Sequence, residues 1–247
     1  MRLPAVFTAL CIVSGTAVGA DIKVLSAGAI EPGLVKVAEQ FRKDTNHRAR
    51  IQFNTAPQIE KRLGGGEVAD VVIAPPGVMD NQMRRNKIDP ETRFVVGRVG
   101  VGVVVRVDAN EPDIGNLERF KQSLQSADSL VYNQASTGLY LEKMFDLLGI
   151  GDSLKSKTTR YANGAQVMEH VIAGKGNEIG FGAITEIRLM EPKGLKYVGP
   201  LPAQIQNYTS YAAGVMTEAP APEVARDFVK YLASPASKAA FFAAGIE

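Results

Sequence analysis

Cysteine is almost missing from this 247-residue chain: Cys11 stands alone, tryptophan is absent, and the histidines are only His47 and His170. One cysteine excludes a disulfide framework. The two histidines lie far apart, and no carboxylate–histidine spacing matches a metal motif, so no metal site is expected. Long runs of one charge are missing too. The 28 basic and 26 acidic residues are interspersed and leave a net charge of +2, which excludes a nucleic-acid-binding stripe. After the first twenty residues no apolar run is long enough to span a bilayer. Phosphate-loop and Gly-x-Ser-x-Gly signatures are absent. Gly97-x-x-Gly100-x-Gly102 reverses the dinucleotide spacing inside an apolar run and reads as a set of packing or bending points. No cofactor is expected.

What remains is an ordinary globular balance, 45% hydrophobic and 22% charged. Residues 1–20 read as a secretory signal. Met1-Arg2 is its positive end, 3–13 its short apolar stretch, and Val18-Gly19-Ala20 its cleavage site. Cleavage after Ala20 leaves 227 residues starting at Asp21 and removes the cysteine. Thr8-Ala9-Leu10 before Cys11 lacks the small residue of a lipoprotein site, so no membrane anchor is expected. The expected product is a soluble periplasmic monomer. About 227 residues suffice for a core that needs no covalent staples.

Along the mature chain, strands alternate with helices. Strands are expected at 22–26, 50–53, 71–74, 94–96, 99–107, 130–132, 158–161, 179–182 and 208–215. Helices are expected at 31–43, 57–63, 117–124 and 139–148, through Val167, Val171 and Ile172, and after Pro222 and Pro235. Val71-Val72-Ile73-Ala74 is apolar on both faces, the mark of a strand buried between helix layers. The pattern predicts an α/β fold with mostly parallel sheets. Crossings near 98–106 and 200–207 would divide it into two lobes, 21–100 with 205–247 and 101–204.

Ligands of such sheets bind beyond the C-terminal ends of strands, where helix N-termini favour anions. Small or hydroxyl-bearing loops stand there. They are Ser26-Ala27-Gly28-Ala29, Asn54-Thr55-Ala56, Ala135-Ser136-Thr137-Gly138 with Tyr140 one turn on, and Asn163-Gly164-Ala165. Ser, Thr and Asn also serve as ordinary N-caps, and that reading stays open for each loop. The candidate ligand residues are Ser26, Gly28, Ala29, Thr55, Ala56, Ser136, Thr137, Gly138, Tyr140, Asn163 and Tyr211.

The segments Val24-Leu25-Ser26-Ala27-Gly28, Val68-Ala69-Asp70-Val71-Val72-Ile73, Ser136-Thr137-Gly138-Leu139-Tyr140 and Ile179-Gly180-Phe181-Gly182 resemble the molybdate-binding type of periplasmic solute-binding protein. The resemblance implies the two-lobed periplasmic-binding-protein fold, a clamp that closes on an anion, and the membrane subunits of an ABC importer as partners. Three oxyanion donors of that family are replaced: its first-loop serine falls at Ala29, its second loop at Thr55-Ala56-Pro57, and its late tyrosine at Ala183. A buried dianion needs its hydrogen bonds, so an organic carboxylate is expected before molybdate. Arg62-Leu63, Ala69-Asp70-Val71-Val72, Tyr132, Gly199-Pro200-Leu201-Pro202, Gln206, Thr209 and Tyr211-Ala212-Ala213-Gly214 are also similar to the aconitate isomerases built on this scaffold. That similarity implies an allylic proton shift between trans- and cis-aconitate. Glu186, Tyr140 and Tyr211 are then the catalytic candidates, with Glu60 behind them and Arg62 and Arg98 as cations. Each has a plain alternative as a helix-start acid, a cleft wall or a surface charge.

Overall fold

The computed structural model describes residues 19–247. The expected signal up to residue 18, with Cys11, lies outside the described residues. Two mixed sheets share one long strand, β4 (Phe94–Arg106). The first sheet has the order β2 (Arg48–Asn54), β1 (Asp21–Ala27), β3 (Val71–Ala74), β9 (Tyr208–Val215), then the first half of β4. The second runs from the other half of β4 through β7 (Glu178–Ala183) and β5 (Ser129–Asn133) to β6 (Thr158–Tyr161). There β8 (Leu195–Pro200) pairs with the other side of β4.

The pairings fix the directions. In the first sheet β1, β2 and β3 are parallel, β9 opposes β3, and β4 opposes β9. In the second β5, β6 and β7 are parallel, β4 opposes β7, and β8 opposes β4. Each sheet therefore has four strands pointing one way and one pointing back, the mostly parallel arrangement that the alternating β and α pattern predicts. β4 leaves β9 at Gly100 and joins β7 at Val101. Residues 201–207 return the chain from β8 to β9.

Strand alternation distributes the core over both faces of each sheet. Val71 and Ile73 pack on one face of the first sheet with α1 (Glu31–Thr45), α9 (Pro222–Leu232) and α10 (Pro235–Ala243). Val72 and Ala74 pack on the other with α2 (Ala56–Gly64) and α3 (Pro76–Arg84). In the second sheet Val101, Val103 and Val105 meet α4 (Leu117–Ser126), α5 (Ser136–Leu147) and the short α6 (Gly151–Lys155). Val104 and Val131 meet α7 (Gly164–Ala173) and α8 (Ile184–Met190). Phe181 anchors the first of these faces, edge-on to Phe120 and Phe145 at centroid separations of 6.3 and 6.1 Å. Prolines start α2, α3, α9 and α10, where a missing N–H costs nothing. No helix among the described residues is long and apolar enough to cross a membrane.

The structure differs from the sequence expectation most at α5. It begins at Ser136, three residues before the expected start at 139. Ser136, Thr137 and Gly138 are thus the helix's first turn and not a loop before it. The cap comes from further back: the Asn133 side chain accepts hydrogen bonds from the Ala135 and Gly138 N–H groups, at 3.0 and 3.3 Å.

Candidate functional site

Strand ends from both sheets meet at one cavity. The first sheet contributes Ala27 at the end of β1 with Gly28 and Ala29 beyond it, Asn54 at the end of β2 with Thr55 and Ala56 beyond it, Pro75 after β3, and Tyr211 from β9. The second contributes Asn133 at the end of β5 with Ala135, Ser136 and Thr137 beyond it, Gly164 at the start of α7, and Ala183 at the end of β7 with Glu186 beyond it. These are the C-terminal ends of parallel strands, where successive helices begin. The first N–H groups of a helix have no partner within it. In α5 the Asn133 side chain takes those of Ala135 and Gly138, leaving those of Ser136 and Thr137, whose residues line the cavity. The Thr55 N–H at α2 is taken by the Gln58 side chain at 2.8 Å.

Among the described residues the wall contains no lysine, arginine or histidine, and Glu186 is its one acidic residue. Burial pushes the Glu186 carboxyl up to about 7, the Glu31 charge adds to the rise, and a hydrogen bond from the Ala183 N–H opposes it. Burial also raises Glu31, against the opposing pull of Lys193. Tyr211 is raised by burial and by the neighbouring Glu186 charge, partly offset by a hydrogen bond with Thr209, and so stays a neutral phenol.

The cavity volume is about 40 Å³. One water takes up roughly 10–15 Å³ on the same measure. A tricarboxylate therefore needs more room than the cavity holds with the sheets placed as they are. A buried link joins them: the Thr185 hydroxyl, on α8, donates to the carbonyl of Ala29 at 2.7 Å, and Thr185 is 1% exposed. Thr185→Val keeps the shape and removes that bond. It should favour the parted form by ~1 kcal/mol, visible as a larger radius of gyration in small-angle scattering of the ligand-free protein. An unchanged radius would mean that this bond does not hold the sheets together.

Gly28, Ala29, Thr55, Ala56, Ser136, Thr137 and Tyr211, expected from the sequence, all lie on the wall, as does Glu186. Four expected ligand residues do not. Ser26 is fully buried and donates to the Ala27 carbonyl at 3.2 Å. Gly138 lies inside α5 against β5, since a Cβ there would sit 1.6 Å from the Asn133 carbonyl oxygen. Tyr140 is off the wall, and its hydroxyl donates to the Ile205 carbonyl at 2.7 Å. Asn163 is the N-cap of α7 and accepts from the Gln166 N–H at 3.0 Å.

The candidate cations lie elsewhere as well. Arg62 binds Glu67 at 2.6 Å, and Arg98 pairs with Glu247 at 3.0 Å while lying over the Tyr208 ring. Glu60 accepts from the Asn81 amide. His47 accepts from the Ala20 N–H at 3.0 Å, and His170 bonds the Tyr161 hydroxyl at 2.8 Å. Among the described residues no group of three His, Cys, Asp or Glu could hold a metal ion. Asn54, Asn133, Gly164 and Ala183 were not among the expected ligand residues, although each stands at a strand end or helix start, which is the signal that finds them.

The family of bacterial extracellular solute-binding proteins matches residues 22–247. The chain belongs to that family. Among relatives of this solute-binding protein, aconitate isomerase from Pseudomonas sp. is 30% identical over 219 residues, covering 86% of this chain and 82% of the relative. Solved structures agree in fold. The Azotobacter vinelandii periplasmic molybdate-binding protein superposes with a TM-score of 0.78 at 18% identity, over 92% of this chain and 98% of that one. The Mycobacterium tuberculosis sulfate-binding protein gives 0.74 at 16% identity, over 92% and 86%. The solute-binding protein has the periplasmic-binding-protein fold of these neighbours.

Proposed function

We propose that this solute-binding protein works in the periplasm, after removal of residues 1–20, and captures a small organic carboxylate in the cavity between its sheets. The lobes that close on the ligand are 21–100 with 205–247, and 101–204. Delivery is to the membrane subunits of an ABC importer. The observation that carries this reading is the meeting of five strand-end segments and the starts of α2, α5, α7 and α8 at one cavity. Backbone N–H groups there favour a bound anion. Alanine at positions 29 and 183 leaves room that hydroxyl side chains would fill around a tetrahedral oxyanion. A thermal-shift series at matched concentration tests the ligand class. Trans-aconitate near 100 times its Kd should add ~2.7 kcal/mol, a rise of ~5–10 °C for a chain of this size. Molybdate should add less. An equal or larger rise with molybdate would overturn the carboxylate assignment.

A second reading is an isomerase acting on aconitate. The 30% identical relative of that name favours it, and so does a carboxyl in the wall that titrates near neutrality. In that reading Glu186 takes a proton from the CH2 carbon of trans-aconitate as the double bond moves. The proton returns at the far allylic carbon, so no redox partner is needed. Tyr211 donates to the carboxylate that gains charge. Chromatography after incubation with trans-aconitate separates the two readings. Many equivalents of cis-aconitate per protein establish turnover, and recovery of unchanged trans-aconitate removes the isomerase.

A further inference from the structure

The one acidic side chain in the wall stands where an anion would have to come. Glu186 sits on α8, and its carboxyl lies between the loop after β1 and the start of α7. A Cβ on Gly28 would be 2.9 Å from Oε1, and one on Gly164 would be 2.3 Å from Oε2. The carboxyl therefore touches both sheets' contributions to the cavity, and two glycines make its seat. The groups acting on it are Glu31 from α1, with Lys193 beyond, and Tyr211 from β9. The first turn of α7 and the end of β7 bring only Gly164 and Ala183 to the wall, and among the described residues no basic side chain lines it. An ionised Glu186 would thus oppose a bound anion with no basic side chain of the described wall residues to screen it. A neutral Glu186 would instead be an O–H donor aimed into the cavity, and O–H···O⁻ bonds are short and strong.

We propose that Glu186 meets the ligand as a carboxylic acid and donates its proton in a hydrogen bond to a ligand carboxylate, so that each anion captured above neutral pH takes up one proton from solvent. This inference rests on the carboxylate reading above and names the group that discriminates within it. The acid pairs best with a carboxylate of similar basicity and poorly with a weakly basic oxyanion such as sulfate. The bond that forms is O–H···O⁻, no covalent bond to carbon changes, and the proton stays shared between the two carboxyl groups.

The sign follows from the raised carboxyl. Below about 7 Glu186 is neutral and competent, and above it the competent fraction falls tenfold per pH unit. Apparent affinity should therefore be ~50-fold weaker at pH 9 than at pH 7. The test is calorimetric titration of the mature protein with trans-aconitate at pH 6, 7 and 9, repeated at pH 8 in phosphate and in Tris. The difference in heat between those buffers should report close to one proton taken up per ligand. Glu186→Gln keeps an N–H donor without the titration. It should bind equally at all pH values and more tightly than the unmodified protein at pH 9. Binding of the unmodified protein with no pH dependence and no proton uptake overturns this inference and leaves the carboxylate reading standing. Binding that tightens as pH rises overturns it in the same way, and no binding at any of these pH values overturns both.

Discussion

Gly138→Ala should destabilise the protein by ~3 kcal/mol, a cost at the upper end of ordinary overpacking. Gly138 is the third residue of α5 and is buried. A Cβ there would lie 1.6 Å from the Asn133 carbonyl oxygen, 2.8 Å from its carbon and 3.0 Å from the Tyr132 ring. Two of those atoms are backbone of β5 and belong to the sheet, so they cannot rotate away. The helix would have to lift, stretching the Asn133 bonds that cap it. Urea denaturation should show a lower midpoint, and melting should fall by ~6–12 °C. An unchanged midpoint would mean that α5 stands off the strand in solution.

Asp70→Ala should cost about as much, by the opposite mechanism. Asp70 is 3% exposed, and each oxygen serves a different element. Oδ2 accepts from the Lys23 N–H in β1, and Oδ1 from the Ala221 N–H at the start of α9, both at 2.7 Å. The side chain thus ties the start of β1 to the residue that opens α9, more than 150 positions later. Hydrogen bonds to a charged acceptor contribute ~1.5–3 kcal/mol each, and alanine strands both donors. A loss of ~3–5 kcal/mol by urea denaturation is expected, with Asp70→Asn intermediate because one amide oxygen remains. Equal stability of Asp70→Asn and the unmodified protein would show that only one of the two bonds matters.

These two residues mark where the sequence was readable. Asp70 precedes Val71-Val72-Ile73-Ala74, and the four apolar residues identify a buried strand without help from the rest of the chain. The bonds of Asp70 depend on α9, and no local pattern announces them. Gly138 shows the converse. A glycine beside a Ser-Thr pair at a helix start suggests close approach to a ligand, and close approach is what it provides, but to β5. One residue type serves both needs, and only the tertiary placement of Asn133 decides between them. Tyr140 lies off the wall for a like reason: its hydroxyl finds the Ile205 carbonyl from 65 residues away. The segments beyond the strand ends at Gly28, Thr55 and Ser136 were legible because topology alone brings such ends together. Glu186 was visible as a helix-start acid. That it would seat between Gly28 and Gly164 required both sheets to be in place.

Whether a carboxylate is held between the sheets is tested most directly by a crystal structure of the mature protein grown with trans-aconitate at pH 6. Ligand density enclosed by Thr55, Ser136, Thr137 and Tyr211 is expected, with one carboxylate oxygen within hydrogen-bond distance of Glu186. Density for trans-aconitate at another surface, with this cavity closed and empty of it, would contradict the account.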